Sequence, residues 1–194
     1  MASFDRYVEA EAGLPSTFFF IPFKNSPGRC PEGEAPRTRA VKYDVAEIGP
    51  DVRMLAAAGK EVALHGLDAW LDVEAGRAEL NRMKAACAEA SDGVRMHWLY
   101  FSGQSPVILE EAGFAYDATS GYNDAVGYRA GTAQVFRPPG TQRLLELPMH
   151  VMDTALFLPA RMALTQAEAC DIAGKMMADL SAHGGALPLN WHCR

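Results

Sequence analysis

The chain has 194 residues, 49% of them apolar and 22% charged, with a net charge of -6. That size closes one hydrophobic core without staples and predicts a single domain over residues 1–194. The acidic balance excludes a basic nucleic-acid surface, and no run reaches the ~20 apolar residues of a membrane span.

Ser3 is placed to cap a short helix carrying Phe4, Tyr7 and Val8, with Gly13 at its end. Asp5, Arg6, Glu9 and Glu11 stand where a secretory leader would need an apolar run. Ser16-Thr17-Phe18-Phe19-Phe20-Ile21 is aromatic and β-branched without alternation, the pattern of a strand covered on both faces. Lys24 to Arg39, rich in proline and glycine, reads as an extended loop. A helix from Val52 to Ala58 follows Pro50, and Glu61-Val62-Ala63-Leu64 is a second buried strand running into His65. Val73 to Ala90 is a strong helix former that Gly93 stops, and Val94 to Tyr100 is strand-like. Ser105-Pro106 opens a helix that ends at Gly113, and Leu144 to Met149 is a further strand. Thr165 and Glu168 form a capping box for a helix to about Ala182, and Leu187 to Trp191 is the last strand, running into His192. Strand and helix alternate throughout, so the fold class is α/β with a parallel sheet, read here as barrel-like. No GxGxxG or P-loop pattern follows any of these strands, which counts against a nucleotide-binding version. Cys30, Cys87, Cys170 and Cys193 lack CxxC spacing, which fits reduced thiols and a cytoplasmic setting.

Five segments, in order, resemble the polysaccharide deacetylase family, whose catalytic unit is the NodB homology domain. They are Ser16-Thr17-Phe18-Phe19-Phe20, Glu61-Val62-Ala63-Leu64-His65-Gly66, Val94-Arg95-Met96-His97, Ala112-Gly113-Phe114-Ala115-Tyr116-Asp117 and Leu189-Asn190-Trp191-His192. The resemblance implies a distorted, incomplete (β/α) barrel, a divalent metal of which zinc is the first expectation, and an acetylated sugar as substrate. It places His65 as a metal ligand, His192 as general acid and Arg95 as the residue that orients a catalytic carboxylate. Two departures stand out. No strand ending in an aspartate pair precedes Thr17, and the position four residues after His65, where the family carries a second histidine, is Ala69. Asp68 is the substitute ligand on offer. The expectation is a chain shortened at its ends relative to a longer parent, with a carboxylate from elsewhere, Asp5 or Asp44, as the other reading.

The same residues have plainer readings. His65 could be a core histidine bonded to backbone, Asp68 a helix cap, His192 an end-of-strand surface residue, and Arg95 part of a structural ion pair. Arg95 and His97 alternate with Val94 and Met96, so the strand reading puts both on one face, with His97 toward sugar hydroxyls. Arg129 and Asp153 lie in segments that resemble a subgroup of the family and are assigned to substrate. Trp70, Trp98, Tyr100 and Tyr122 are candidates to stack on pyranose rings, while His150 and His183 read as surface or helix-end residues. The functional expectation is a metal-dependent hydrolase removing acetyl groups from N- or O-acetylated sugars. A carbohydrate-binding relative without turnover and a scaffold module are the alternatives, and an uncovered sheet edge suggests self-association into a homo-oligomer.

Overall fold

The strand-helix alternation is realised in the computed structural model, which describes residues 4–192. In chain order the elements are α1 (Asp5–Ala10), β1 (Thr17–Phe20), β2 (Arg29–Cys30), β3 (Gly33–Glu34), α2 (Gly49–Ala57), β4 (Glu61–Gly66), α3 (Val73–Ala86), β5 (Gly93–Met96), α4 (Ser105–Ala112), β6 (Tyr116–Asp117), β7 (Leu145–Glu146), β8 (Val151–Met152), α5 (Asp153–Phe157), α6 (Gln166–His183) and β9 (Leu189–Asn190). The expected cap at Ser3 lies outside the described residues.

Strands β1, β4, β5, β6 and β7 form one parallel sheet in that spatial order. Each new strand is added beside the last, so the sheet winds in one sense, as in barrels, without the reversal of a doubly wound sheet. β8 and β9 pair in a separate parallel ladder. Among the described residues β1 pairs on one side alone, with β4. No helix among them is long and apolar enough to cross a membrane.

One face of the sheet carries the core. Phe18, Phe20, Val62, Leu64, Val94 and Met96 pack with Val52 and Leu55 of α2, Leu80 and Met83 of α3, and Leu109 of α4. Each such side chain contributes about 1.5–3 kcal/mol by leaving water. The opposite face differs from the expectation of an unalternating strand: Thr17 and Phe19 are only partly buried while Phe18 and Phe20 are buried. Helices cover one side of β1 and a cavity lies on the other.

Gly93 starts β5 instead of merely ending the helix before it. A Cβ there would overlap the Tyr116 ring, so glycine is required by the close approach of β6. The expected strand from Val94 to Tyr100 stops at Met96, and His97–Leu99 is a 3-10 turn in which Trp98 and Leu99 take φ of 62° and 57°. Such left-handed backbone is costly for side chains of this size and persists where surrounding packing imposes it. The Lys24–Arg39 loop contains the small β2–β3 hairpin. Thr165 and Glu168 close both arms of the capping box at α6, as the sequence predicts. Ser105 does not cap α4; its Oγ accepts from the Ser102 N–H and donates to the Trp70 carbonyl.

Candidate functional site

A cavity of about 550 Å³ borders β1 and β9, and Phe19, His65, Arg95, His97, Asn190 and His192 line it. Register explains the grouping: His65 pairs with Arg95 across β4 and β5, so both leave the same face, opposite to Leu64 and Val94. His97 arrives from the turn after β5 and not from the strand, a correction to the alternation argument.

The two imidazoles touch. His65 Nδ1 lies 2.9 Å from the Arg95 carbonyl, His65 Nε2 lies 3.0 Å from His97 Nδ1, and His97 Nε2 lies 3.0 Å from the Arg39 carbonyl. Burial holds the His65 ring well below its ordinary pKa, helped by His97 and opposed by the hydrogen bond to the Arg95 carbonyl. Burial and the Arg39 guanidinium hold His97 down at about 4. Both rings are therefore neutral near pH 7.

Arg95 is buried, with Nε donating to the Ala118 carbonyl at 3.0 Å, Nη1 donating to Asn190 Oδ1 at 2.8 Å, and its guanidinium 4.4 Å above the Phe19 ring. Its charge acts on two buried carboxyls, Asp117 and Glu146. Desolvation raises both pKa values, the charge of Asp117 raises Glu146 further, and Arg95 opposes both shifts. The carboxyls that feel the Arg95 charge are sealed in the interior and do not line the cavity.

At the cavity mouth His192 Nδ1 lies 2.6 Å from Asp153 Oδ1, and the His192 backbone N–H donates to Asp153 Oδ2 at 3.3 Å. The Asp153 carboxylate is buried, which pushes its pKa up, yet hydrogen bonds from His192 and from the Thr154 N–H bring the net shift below the usual carboxylate range. The histidine side chain is 45% exposed. A buried anion on Nδ1 fixes the tautomer and orientation and leaves Nε2 free to exchange a proton with a ligand. Asp153 is therefore the partner of the catalytic candidate, where the sequence assigned it to substrate.

Other expected site residues lie elsewhere. Asp68 accepts the Arg29 backbone N–H at 2.6 Å, sits 3.6 Å from Arg29 Nε and lines a separate cleft against the 25–42 loop. It lies in the 67–72 connection between β4 and α3, where its backbone N–H is held by Glu79 and its carboxylate by Arg29. Trp70 is 3% exposed and packs in the core against Tyr100, so it offers no face to a sugar. Arg129 donates to the Gly121 carbonyl at 2.8 Å and does not line the cavity. Asp44 is tied to Arg82 at 2.6 Å, outside the cavity lining. His150 is buried against Tyr128, contrary to its surface reading, whereas His183 sits exposed at the end of α6 as expected. Arg39, Asn190, Asp117 and Glu146 were missed as site neighbours. Trp191, 60% exposed on the cavity rim, was missed as a stacking surface although it precedes His192 in the quoted motif.

A resident divalent metal needs about three protein donors. Among the described residues no group of three His, Cys, Asp or Glu is placed to hold one. The imidazole part of such a site fits, since His65 and His97 each offer a ring nitrogen with the other nitrogen fixed on a carbonyl. The carboxylate part, assigned to Asp68, does not fit.

Glu79 anchors the turn that carries this region. It is 3% exposed and accepts the Leu67 and Asp68 N–H groups at 2.8 and 2.7 Å. Burial raises its pKa from 4.5 to about 7, against the pull of those two donors. The folded state then holds a proton that the unfolded chain has released, so this contribution is complete below about pH 4.5 and is lost as pH rises through about 7. Urea unfolding between pH 5 and 8 should show a loss of up to roughly 3 kcal/mol from this group. Glu79→Gln should be less stable at pH 5 and should lack that part of the slope; an unaltered slope would mean that another group carries it.

No protein-family model and no curated protein matches the chain. Among solved structures, it resembles the crystal structure of a "putative polysaccharide deacetylase" from Mycobacterium smegmatis, with a TM-score of 0.60 and 23% sequence identity. The alignment covers 95% of this chain and 61% of that one, so this chain spans under two thirds of its structural relative. At that identity the likeness establishes a shared fold.

Proposed function

We propose that this chain is a hydrolase of deacetylase type that removes acetyl groups from N- or O-acetylated sugars of a polysaccharide or oligosaccharide. The observation that carries the reading is the His192–Asp153 pair at the mouth of a cavity on a deacetylase-like fold. With Nδ1 held by Asp153, His192 Nε2 is the atom that delivers a proton to the departing sugar nitrogen or oxygen. Trp191, beside it, offers an aromatic face against which a pyranose ring can be positioned. Asn190 and Arg95 brace the wall that carries both. A divalent metal of the zinc class, with His65 among its ligands, would supply polarisation of the acetyl carbonyl and an activated water when bound.

The test is acetate release from acetylated chitooligosaccharides and xylooligosaccharides. His192→Asn should lower turnover by about 10²–10⁴-fold with a smaller change in KM, and Asp153→Asn should lower it by a lesser factor. Absence of acetate release from the zinc-supplemented wild-type chain would sink the proposal. A second reading, sugar binding without turnover, is favoured by one observation: the described residues lack a third metal donor. Calorimetric binding of the same oligosaccharides without acetate release would establish it.

A further inference from the structure

The cleft against the 25–42 loop is a second concave feature of the molecule, and the proposed reaction does not use it. It measures about 680 Å³, within the range of pockets that hold a small ligand, and Asn25, Arg29, Glu34, Arg37, Lys42 and Asp68 line it. Three of these are cations, gathered in one cleft of a chain whose net charge is -6. Elsewhere on the surface Lys24, Arg82, Lys84 and Lys175 are each paired with a carboxylate. In the cleft the side chains of Arg37 and Lys42 have neither a hydrogen bond nor an ion pair among the described residues. The Arg29 guanidinium makes no hydrogen bond there, and its Nε approaches Asp68 at 3.6 Å.

The chemistry of the lining selects among anions. Arg37, Lys42 and the open fork of Arg29 offer donors to an oxyanion. Asp68 and Glu34, when ionised, only accept, so they repel a polyanion while receiving hydroxyl groups. Asp68 is the fixed member. Its backbone N–H is held by Glu79 at 2.7 Å, its Oδ1 accepts the Arg29 N–H at 2.6 Å, and a Cβ on Gly28 would come within 2.8 Å of that oxygen. A ligand with one negative charge and several hydroxyls matches this mixture, and a uronic acid is that ligand in sugar form.

The cleft shares a wall with the cavity. Ala40 has extended backbone, with φ of -73° and ψ of 135°, and the residues alternate from there: Ala40 and Lys42 line the cleft, Val41 and Tyr43 the cavity. A single extended segment therefore separates the two spaces, and the Arg39 carbonyl at its start lies 3.0 Å from His97 Nε2.

We propose that the 25–42 cleft binds a uronate unit, its carboxylate on Arg37 and Lys42 and its hydroxyls on Asp68, of the same glycan whose acetylated unit enters the cavity. The substrate class is then an acidic, acetylated polysaccharide. That consequence rests on the hydrolase reading; the cleft itself does not, and its test reads binding.

In calorimetry, short acetylated oligogalacturonates and glucuronate-bearing xylooligosaccharides should bind about tenfold or more tightly than their methyl-esterified forms, which keep the sugar and lose the charge. Because Arg37 and Lys42 are exposed, that preference should shrink as salt is raised. A double variant, Arg37→Gln with Lys42→Gln, should bind free and esterified forms alike, with circular dichroism confirming its fold. Unchanged preference in the folded double variant, equal wild-type affinity for free and esterified forms, or no binding of either acid up to about 10 mM would overturn the proposal. So would orthophosphate displacing the oligosaccharides at equal concentration, which would make the cleft a bare anion site. Acid-selective binding without acetate release would uphold the cleft and remove the hydrolase reading. Acetate release at equal rates from acidic and neutral oligosaccharides, in wild type and double variant alike, would uphold the hydrolase and overturn the cleft's part in it.

Discussion

Arg39→Ala is expected to destabilise the protein by roughly 3–5 kcal/mol. The side chain leaves a loop of prolines and glycines and is 1% exposed. Its Nη1 donates to the Pro27 carbonyl, and its Nη2 donates to the carbonyls of Leu67 at 3.3 Å and His97 at 2.7 Å. The guanidinium also lies 4.7 Å above the Tyr100 ring. One cation thus ties the 25–39 loop, the turn after β4 and the turn after β5. Alanine strands three inward-facing carbonyls together, and lysine, without the planar fork, should recover only part of the loss. Urea unfolding followed by circular dichroism measures the effect. A loss below about 1 kcal/mol would mean that water enters and replaces the guanidinium.

Arg95→Met should cost about as much, and its cost should grow with pH. Methionine matches the length of the aliphatic stem but removes the guanidinium that lies over Phe19 and whose charge offsets Asp117 and Glu146. Both carboxyls already have raised pKa values in the folded state, so their contribution is complete below the unfolded value and is lost as pH rises through the folded one. Without Arg95 those values move higher still. At pH 5 the carboxyls are largely protonated and the variant should lose roughly 2–3 kcal/mol; at pH 9 the loss should exceed that by about 2 kcal/mol. A penalty independent of pH would show that Arg95 acts through Ala118 and Asn190 alone.

The helical and strand skeleton was legible because it depends on local signals. The apolar runs at Phe18–Phe20 and Val62–Leu64, the proline at the start of α2 and the Thr165–Glu168 box each state their structure within a few residues. The site was legible only in part. His65, Arg95 and His192 could be named from segment resemblance, but the pairing of Asp153 with His192 spans 39 residues and depends on how β8 and β9 meet. Asp117 and Glu146 sit on strands of two residues each, too short to display a period. His97 was placed on a strand because Val94 to Tyr100 looks extended, and only the left-handed Trp98 and Leu99 reveal the turn. Trp70 looked like a loop aromatic, yet the turn after β4 folds it into the core.

The free side of β1 has a consequence for hydrogen exchange. The Glu61 N–H donates to the Ser16 carbonyl, while the Ile21 N–H turns the other way, to the Tyr43 hydroxyl at 3.2 Å. With a period of two, the amides of Phe18 and Phe20 point into the ladder with β4, and those of Thr17 and Phe19 point to the edge of the strand opposite β4. Deuterium uptake resolved by residue would then alternate along a strand only four residues long, slow at Phe18 and Phe20 and fast at Thr17 and Phe19. Any extended segment that seated itself against that side would erase the alternation, so those two amides serve as reporters of whether the slot is filled.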